Sequence, residues 1–240
     1  MTAGRQGETR RKRSDIIKVS HYRGFKLYPY KKSEEGFYES VLEKTFDQIE
    51  VMLNRWSRIN VVRFDVFFDR SQQGIDQQKV VAELLRTLKR DMAAWKKNGV
   101  NRGLDEMAYL YVREETADRG VHFHCFIATK NFTRKKRVVD AEGAYLGVFG
   151  KIVDAWGKVT RKTGATGSIN FGTKQQPSGR RVNHIYQVDR AKLKEQEKLM
   201  RGLSYLAKVK TKETLPKSKQ LAPSSRLKAE GEREFRLVRE

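Results

Sequence analysis

The sequence predicts an α/β (α+β) domain with a central antiparallel sheet and helices packed on it. Three observations favour this class. Runs of β-branched and aromatic residues alternate along the chain with amphipathic segments of helical period. The connection 116–119 between two predicted strands is short enough to make them an antiparallel hairpin. A chain of 240 residues, 38% of them hydrophobic, is long enough to bury a core.

Each element is predicted from its own periodicity. Apolar residues recur at spacings of three and four from Gly36 to Trp56, which predicts the first helix. The strands are runs rich in Val, Ile, Phe and Tyr, bounded by polar turns. In chain order, the further predicted elements are strand 59–68, helix 76–97, strands 107–115 and 120–129, helix 145–160, a short strand 168–171, strand 181–188 and helix 190–210.

This order contains a βαββαβ unit, the arrangement of ferredoxin-like and RRM domains. Such a unit places its helices on one face of an antiparallel sheet. We expect residues 1–32 to form a basic, partly disordered arm, ordered only near 25–30. We expect the folded domain over 33–213 and a basic tail, rich in Lys, Ser and Pro, over 214–240.

The charge balance indicates a polyanionic partner. The chain has 51 Lys and Arg against 29 Asp and Glu, a formal net charge of +22, whereas solubility alone favours a mixed surface. Nucleic acid is the polyanion that such a surface attracts. Charge alone fits ribosomal or nucleoid packing equally well, so it indicates a partner and no reaction.

Three further absences narrow the class of protein. No apolar stretch is long enough for a membrane span, and the first thirty residues lack a signal-peptide core. We therefore expect a cytoplasmic protein with no membrane partner. A single cysteine, Cys125, excludes a disulfide framework and a multi-cysteine zinc site.

A metal site is predicted on the second strand of the hairpin. His122 and His124 project from the same face of that strand, where two imidazoles can share one cation. The alternative is a pair of core histidines with backbone partners. A third ligand is expected from the paired strand; Glu114 is preferred, and the uncertain register leaves Glu115 open. Asp65, on the first predicted strand, is a less favoured ligand that would otherwise pair with Arg63 or Arg58.

Imidazoles with a carboxylate suit Mg²⁺ or Mn²⁺ when a phosphate completes the shell, and Zn²⁺ is chemically possible.

Tyr205 and Lys208 form a second candidate pair. Residues three apart share a face of a helix, so the Lys208 ammonium is expected one turn from the Tyr205 hydroxyl. There it can stabilise a phenolate or bind a phosphate under attack. The alternative is that Tyr205 packs in the core beside Leu206.

These motifs together resemble those of the HUH endonucleases. The likeness rests on His122-Phe-His124, the preceding Arg113-Glu114 and the downstream Ser204-Tyr-Leu-Ala-Lys208. It is greatest to the inovirus-type (filamentous phage) rolling-circle replication initiator family, which also shares the Arg63-Phe-Asp-Val66 strand. The resemblance covers roughly residues 36–228 and implies the HUH topology of the sheet.

The resemblance implies a metal-dependent nickase and strand-transferase that acts on single-stranded DNA at a replication origin. Tyr205 would form a 5′-phosphotyrosine and free a 3′-hydroxyl primer, with Lys208 as its phosphate or proton partner. His122, His124 and Glu114 would hold Mg²⁺ or Mn²⁺. Host helicase and polymerase, in a bacterial cytoplasm, would complete replication, since no Walker-type loop occurs in the sequence.

The sequence departs from the wider superfamily at two points. Val209 stands where some relatives have a second tyrosine, and no third histidine lies near the pair; His184 is interpreted as structural. Three alternatives stay open: a plasmid relaxase or transposase of the same chemistry, a non-catalytic basic single-strand binding protein, and a hydrolase that uses water.

A single strand is expected to lie in a basic groove with aromatic stacking. The aromatic candidates are Tyr22, Tyr28 and Tyr30. The basic candidates lie in the arm, the loop 130–137 and the segment 174–181: Arg10, Arg11, Lys12, Arg13, Arg23, Lys130, Arg134, Lys135, Lys136, Arg137, Lys174, Arg180 and Arg181.

Overall fold

The fold is α+β with antiparallel sheets, as the sequence predicts. The computed structural model describes residues 15–29, 36–70, 72, 74–94, 106–116, 119–131, 145–172, 174–175, 181–182, 185–209, 224 and 237. The strands are β1 (Ile16–Ile17), β2 (His21–Tyr22), β3 (Phe25–Lys26), β4 (Phe37–Tyr38), β5 (Arg58–Phe68), β6 (Ala108–Thr116), β7 (Gly120–Lys130), β8 (Gly167–Asn170), β9 (Lys174–Gln175), β10 (Arg181–Val182) and β11 (Ile185–Asp189). The helices are α1 (Glu39–Arg55), α2 (Gln77–Ala94), α3 (Gly147–Thr163) and α4 (Leu193–Leu203), and a 3₁₀ turn, Ser204–Ala207, follows α4.

The central sheet has five strands in the order β11-β5-β7-β6, with β8 also paired to β5. All of these pairings are antiparallel. β7 runs along one side of β5, while β11 pairs with its first half and β8 with its second half. β6 and β7 form the predicted hairpin. β5 and β7 are therefore interior strands, and side chains from β5, β6 and β7 share each face.

Helices cover both faces of the sheet, so the prediction that they lie on one face is wrong. α2 and α3 pack against one face, which includes Phe64 and Phe123. α1 and α4 pack against the other, which includes Leu110 and Phe126. The reason is that α1 precedes the βαββαβ run and α4 follows it, and their apolar faces need a partner. Alternate residues of β5 and β7 are accordingly buried on both sides.

The predicted N-terminal arm is part of the fold from Asp15 onward. β1 pairs with β4, and Phe25 is buried against α1. The Asp15 carboxylate accepts a hydrogen bond from the backbone N–H of Ser40 at 3.0 Å, and its carbonyl accepts one from Glu39 at 2.7 Å. Asp15 thus caps α1, whose own N-cap residue makes no side-chain cap. The earlier residues lie outside the described chain.

The last predicted helix ends sooner than its periodicity suggests. α4 stops at Leu203, and Lys208 has an extended backbone that bridges Phe37. Val209 donates its backbone N–H to the Gly36 carbonyl at 3.1 Å. Gly36 has φ +100°, and a Cβ there would overlap the Ile17 carbonyl. Beyond the 3₁₀ turn, hydrogen bonds to the β4 segment at Gly36 and Phe37 replace the helical ones.

Two residues of the predicted C-terminal tail pack on the domain. Ser224 bridges Leu110 on β6. Leu237 is buried in the α1 core, and its backbone N–H donates to Glu50 Oε2 at 3.1 Å. The boundary predicted at residue 213 is therefore not the end of the packed chain.

The remaining predicted elements agree with the structure to within a few residues, with one exception. The strand predicted over 181–188 is divided into β10, which pairs with β9, and β11, which joins the central sheet. Within the described ranges, no helix is both long and apolar enough to cross a lipid bilayer.

Replacing Leu237 with Ala tests whether the C-terminal segment belongs to the domain. We expect Leu237→Ala to lower the free energy of unfolding by about 3 kcal/mol, because the side chain is only 1% exposed. Leu193→Ala, at a side chain 43% exposed, should change it by less than about 0.5 kcal/mol. Urea denaturation measures both; equal effects would show that Leu237 does not contribute to the core.

Candidate metal centre and neighbouring tyrosine

A buried group of metal-ligating side chains lies at one end of the sheet, on the face that α1 and α4 cover. Glu114 on β6 is directly opposite His122 on β7, and strand alternation brings His124 to the same face. All three are buried, and their ligand atoms lie within 4.8 Å of one another. Two imidazole nitrogens and a carboxylate form a donor set that fits a divalent cation. The group could hold a metal ion.

His122 is oriented as a ligand. Its Nδ1 lies 3.1 Å from the Gly120 carbonyl oxygen, which can only accept, so Nδ1 carries the proton. Nε2 then has its lone pair and lies 3.7 Å from Glu114 Oε1. Burial lowers the pKa of His122, although the Gly120 hydrogen bond opposes it. The neutral imidazole that a metal requires is therefore favoured.

His124 lies between two carboxylates. Its Nε2 is 2.7 Å from Glu114 Oε2, and its Nδ1 is 2.6 Å from Asp65 Oδ1. Burial alone would lower the pKa of His124, but the hydrogen bonds to Asp65 and Glu114 raise it above its ordinary value. Burial alone would raise the pKa of Asp65. The hydrogen bond to His124, together with the charges of His124, Arg63 and His122, lowers this pKa below its ordinary value.

Asp65 lies behind His124, outside the group of potential ligands. A carboxylate on Nδ1 fixes the imidazole's orientation and tautomer, so that Nε2 faces the Glu114 side. This hydrogen bond suits a positioning role for Asp65, and the less favoured interpretation of Asp65 as a metal ligand stays a prediction.

The choice that the sequence left open between Glu114 and Glu115 is decided by the register of β6 against β7. Glu115 is opposite Val121, on the other face of the sheet from the two histidines. Its carboxylate pairs with Arg113 at 3.4 Å. Glu114 is the carboxylate in the potential metal site.

Tyr205 lies directly beside the metal group. Its ring centroid is 5.3 Å from that of His124, with the rings nearly perpendicular. The Arg63 guanidinium carbon lies 4.4 Å from the Tyr205 ring centroid, and Lys208 Nζ lies 5.5 Å from it. Burial and the Glu114 charge raise the pKa of Tyr205, while Arg63 lowers it. Tyr205 therefore packs between the potential metal site and two cationic side chains.

The segment that carries Tyr205 is held by specific contacts. Ser204 Oγ accepts a hydrogen bond from the Tyr28 backbone N–H at 2.8 Å and donates to the Arg201 carbonyl at 3.0 Å. The Tyr28 ring packs against Tyr205, with centroids 5.3 Å apart. A side chain at Gly202 would overlap the Tyr186 hydroxyl. These contacts fix the 3₁₀ turn, so Tyr205 and Lys208 meet without sharing the helix that the sequence predicts.

Two of the predicted basic DNA contacts, Arg23 and Lys130, have described side chains, and each already has a partner within the protein. Arg23 binds Asp47 at 3.1 Å and approaches Glu50 at 3.8 Å, so a phosphate would have to displace these ion pairs. Lys130 Nζ lies 4.2 Å from the Trp56 ring centroid at the far end of β7, roughly 20 Å along the strand from His124.

The other predicted DNA contacts lack described side chains. The side chains of Lys174 and Arg181 lie outside the description, although their backbones form β9 and β10. The following predicted contacts lie outside the described residues altogether: Arg10, Arg11, Lys12, Arg13, Tyr30, Arg134, Lys135, Lys136, Arg137 and Arg180. His184, interpreted from the sequence as structural, also lies outside them.

The sequence reasoning assigned no role in the site to Arg63. Alternation along β5 places Arg63 and Asp65 on one face, but only the pairing of Asp65 with His124 shows that this face carries the histidines. The sequence predicts Tyr28 as an aromatic DNA contact, and no local pattern indicates that its ring packs against Tyr205.

Comparison with protein-family models finds one family whose model spans the candidate site. Residues 20–221 match the model of the YagK/YfjJ C-terminal domain. The chain belongs to the YagK/YfjJ C-terminal domain family. The matched range contains every residue of the candidate site, from Tyr28 to Lys208, while Ser224 and Leu237 lie beyond it. No curated protein matches the chain, and no solved structure matches it.

Replacing Glu114 and Glu115 in turn tests which of the two glutamates binds the metal. We expect Glu114→Gln to weaken Mn²⁺ binding by about 100-fold or more. Mutating a residue that only hydrogen-bonds to a metal ligand typically lowers metal affinity by about 10- to 100-fold, and the loss of a ligand itself should cost more. Glu115→Gln should bind Mn²⁺ as the wild type does. Isothermal titration calorimetry measures both, and equal affinities of the two variants would contradict the proposed ligand set.

Replacing Asp65 tests its support of His124. Asp65→Asn keeps the shape but removes the charge that receives the Nδ1–H, so Mn²⁺ affinity should fall about tenfold. The matched control is Asp154→Asn, at an exposed carboxylate on α3. A loss as large as that of Glu114→Gln would instead indicate that Asp65 binds the metal directly.

Proposed function

We propose that this protein is an HUH-type endonuclease that nicks single-stranded DNA at a replication origin and initiates rolling-circle replication. The observation that carries the proposal is the position of Tyr205, whose ring contacts His124 of the buried Glu114-His122-His124 group. A nucleophile of the right type and a potential metal site come from distant parts of the chain and meet at one end of the sheet.

The topology of the sheet supports the proposal. In the β5-α2-β6-β7-α3 path, the strand that carries both histidines is an interior strand, paired on each side. An interior strand holds its side chains in fixed positions. We propose that this sheet has the HUH topology that the sequence resemblance implies, with the inovirus-type initiators as the related family.

Tyr205 would act as the nucleophile. Its phenolic oxygen forms a bond to the phosphorus of a phosphodiester, and the bond from phosphorus to the 3′-oxygen breaks. The products are a 5′-phosphotyrosine and a free 3′-hydroxyl; the phenolic proton is lost, and the leaving oxygen gains one. The covalent bond conserves the energy of the phosphodiester, so that a later hydroxyl can rejoin the strand.

The surrounding residues have separate roles in this reaction. A divalent cation held by Glu114, His122 and His124 would polarise the phosphoryl oxygens, and Mg²⁺ or Mn²⁺ suits that chemistry. Lys208, whose ammonium lies beside both Tyr28 and Tyr205, would contact the phosphate or stabilise the phenolate. The contacts of the Tyr205 ring with Tyr28, His124 and Arg63 would hold it in one orientation.

The partners follow from the proposed reaction. The net charge of +22 supports binding of a single-stranded DNA backbone. Because the sequence contains no Walker-type loop, a helicase and a polymerase of a bacterial host would unwind and extend the strand in its cytoplasm.

Replacing Tyr205 with Phe tests the nucleophile. The protein is incubated with labelled single-stranded DNA from its own replicon, with Mn²⁺ or with EDTA, and denaturing gels show nicked DNA and protein-linked DNA. We expect Tyr205→Phe to lose both products by more than about 10³-fold and to keep its affinity for DNA. The control Tyr145→Phe, at a ring 41% exposed on the opposite face, should nick normally.

The alternatives give different gels. A hydrolase that uses water would cut with Tyr205→Phe and form no adduct with any variant. A non-catalytic binding protein would retain DNA and yield neither product with Mn²⁺ or Mg²⁺. Either result would overturn the proposed nucleophilic role of Tyr205.

A further inference from the structure

Arg63 carries a largely buried charge that makes no side-chain hydrogen bond within the described residues. It lies on β5, on the same face as Asp65, and its side chain is 12% exposed. Within the described residues, its Nε is buried and has no hydrogen-bond partner. Asp65 Oδ1 lies 3.9 Å from Nη2, which is longer than a hydrogen bond.

Most buried donors in folded proteins are paired, so the Arg63 Nε is a donor to which an acceptor can bind. The cost of an unpaired donor is greater when the donor is charged. Tyr205 packs against the Arg63 guanidinium, with 4.4 Å between Cζ and the ring centroid. Such a cation–π contact makes no hydrogen bond with the N–H groups on the guanidinium edge. The N–H groups on that edge can still receive an acceptor.

The acceptor that best suits this guanidinium is an anion with two oxygens. A guanidinium presents parallel N–H groups that match a phosphate or carboxylate in bidentate geometry. In this site, Asp65 and Glu114 are already engaged by His124. A second cation, Lys208, lies on the same tyrosine ring, which favours an anionic ligand next to Tyr205.

The geometry points to Arg63 as a phosphate-binding residue that holds a phosphodiester of single-stranded DNA against Tyr205. The identity of that phosphate as the one Tyr205 attacks rests on the proposed function. The binding itself requires only the guanidinium edge. Arg63 is thus a direct contact to substrate, in addition to its packing on the tyrosine.

A purely packing role predicts a different response to substitution. If Arg63 only supports the Tyr205 ring, its loss alters the reaction and leaves the number of phosphate contacts unchanged. If it binds phosphate, its loss removes one contact. For single strands, each phosphate contact contributes about 0.7 to the slope of log affinity against log salt.

The experiment measures binding of a fluorescein-labelled oligothymidylate by anisotropy at several salt concentrations, with EDTA present. All variants carry Tyr205→Phe, which keeps the ring and removes the nucleophile. We expect Arg63→Met to weaken binding about tenfold and to reduce the salt slope by about 0.7. Arg63→Lys keeps the charge and loses the fork, so it should weaken binding less and keep the slope.

The controls separate charge from position and folding. Arg86→Met removes an equal charge from α2, on the other face of the sheet, and should change neither affinity nor slope. Unchanged Mn²⁺ binding shows that a variant has kept the folded site. If Arg63→Met does not fold, Arg63→Lys carries the test, and affinity equal to that of the parent would overturn the inference.

The outcome is distinguishable from that of the proposed function. A reduced slope in Arg63→Met, together with no adduct from the protein with native Tyr205, would support phosphate binding and reject the nickase. Nicking by the protein with native Tyr205, together with an unchanged slope in Arg63→Met, would reject Arg63 as a phosphate contact and retain the nickase.

Discussion

The candidate site depends on the antiparallel register of three strands. β7 pairs with β6 so that His122 is opposite Glu114, and with β5 so that His124 is opposite Asp65. A shift of either pairing by one residue would move the partner side chain to the other face of the sheet. The short connection between β6 and β7 and the burial of both faces fix this register. The geometry of the possible metal centre is therefore a consequence of sheet formation.

Burial of ionisable groups at this end of the sheet is compensated by their pairing with one another. Asp65, His124 and Glu114 form a continuous chain of hydrogen bonds below the α1 and α4 layer. An isolated charge in that position would be costly, whereas a paired chain is tolerated and holds each side chain in one orientation. These hydrogen bonds hold the side chains in fixed positions, and a metal site or a reacting group requires such fixed positions.

The elements outside the βαββαβ run bring the tyrosine to the sheet. α1 and α4 cover the face that carries the histidines, and the chain after α4 turns to pair with the segment at Gly36. Tyr28, from the N-terminal segment, completes the packing around Tyr205. One side of the site is thus formed by two segments: the one with Tyr28, predicted as part of an N-terminal arm, and the one with Tyr205, predicted as the end of a helix. Their contacts are long-range, so no local pattern reveals them.

The sequence by itself determined the α+β class, the long strands, the hairpin and the shared face of His122 and His124, because alternation and helical period are local properties of the chain. Only the tertiary structure decided which glutamate joins the histidines, since register is set by pairing between strands. It also decided that helices cover both faces, that Tyr205 lies in a 3₁₀ turn, and that Arg63 contacts it. These features depend on contacts between residues far apart in the sequence. Local periodicity reports only on neighbouring residues, so it cannot predict such contacts.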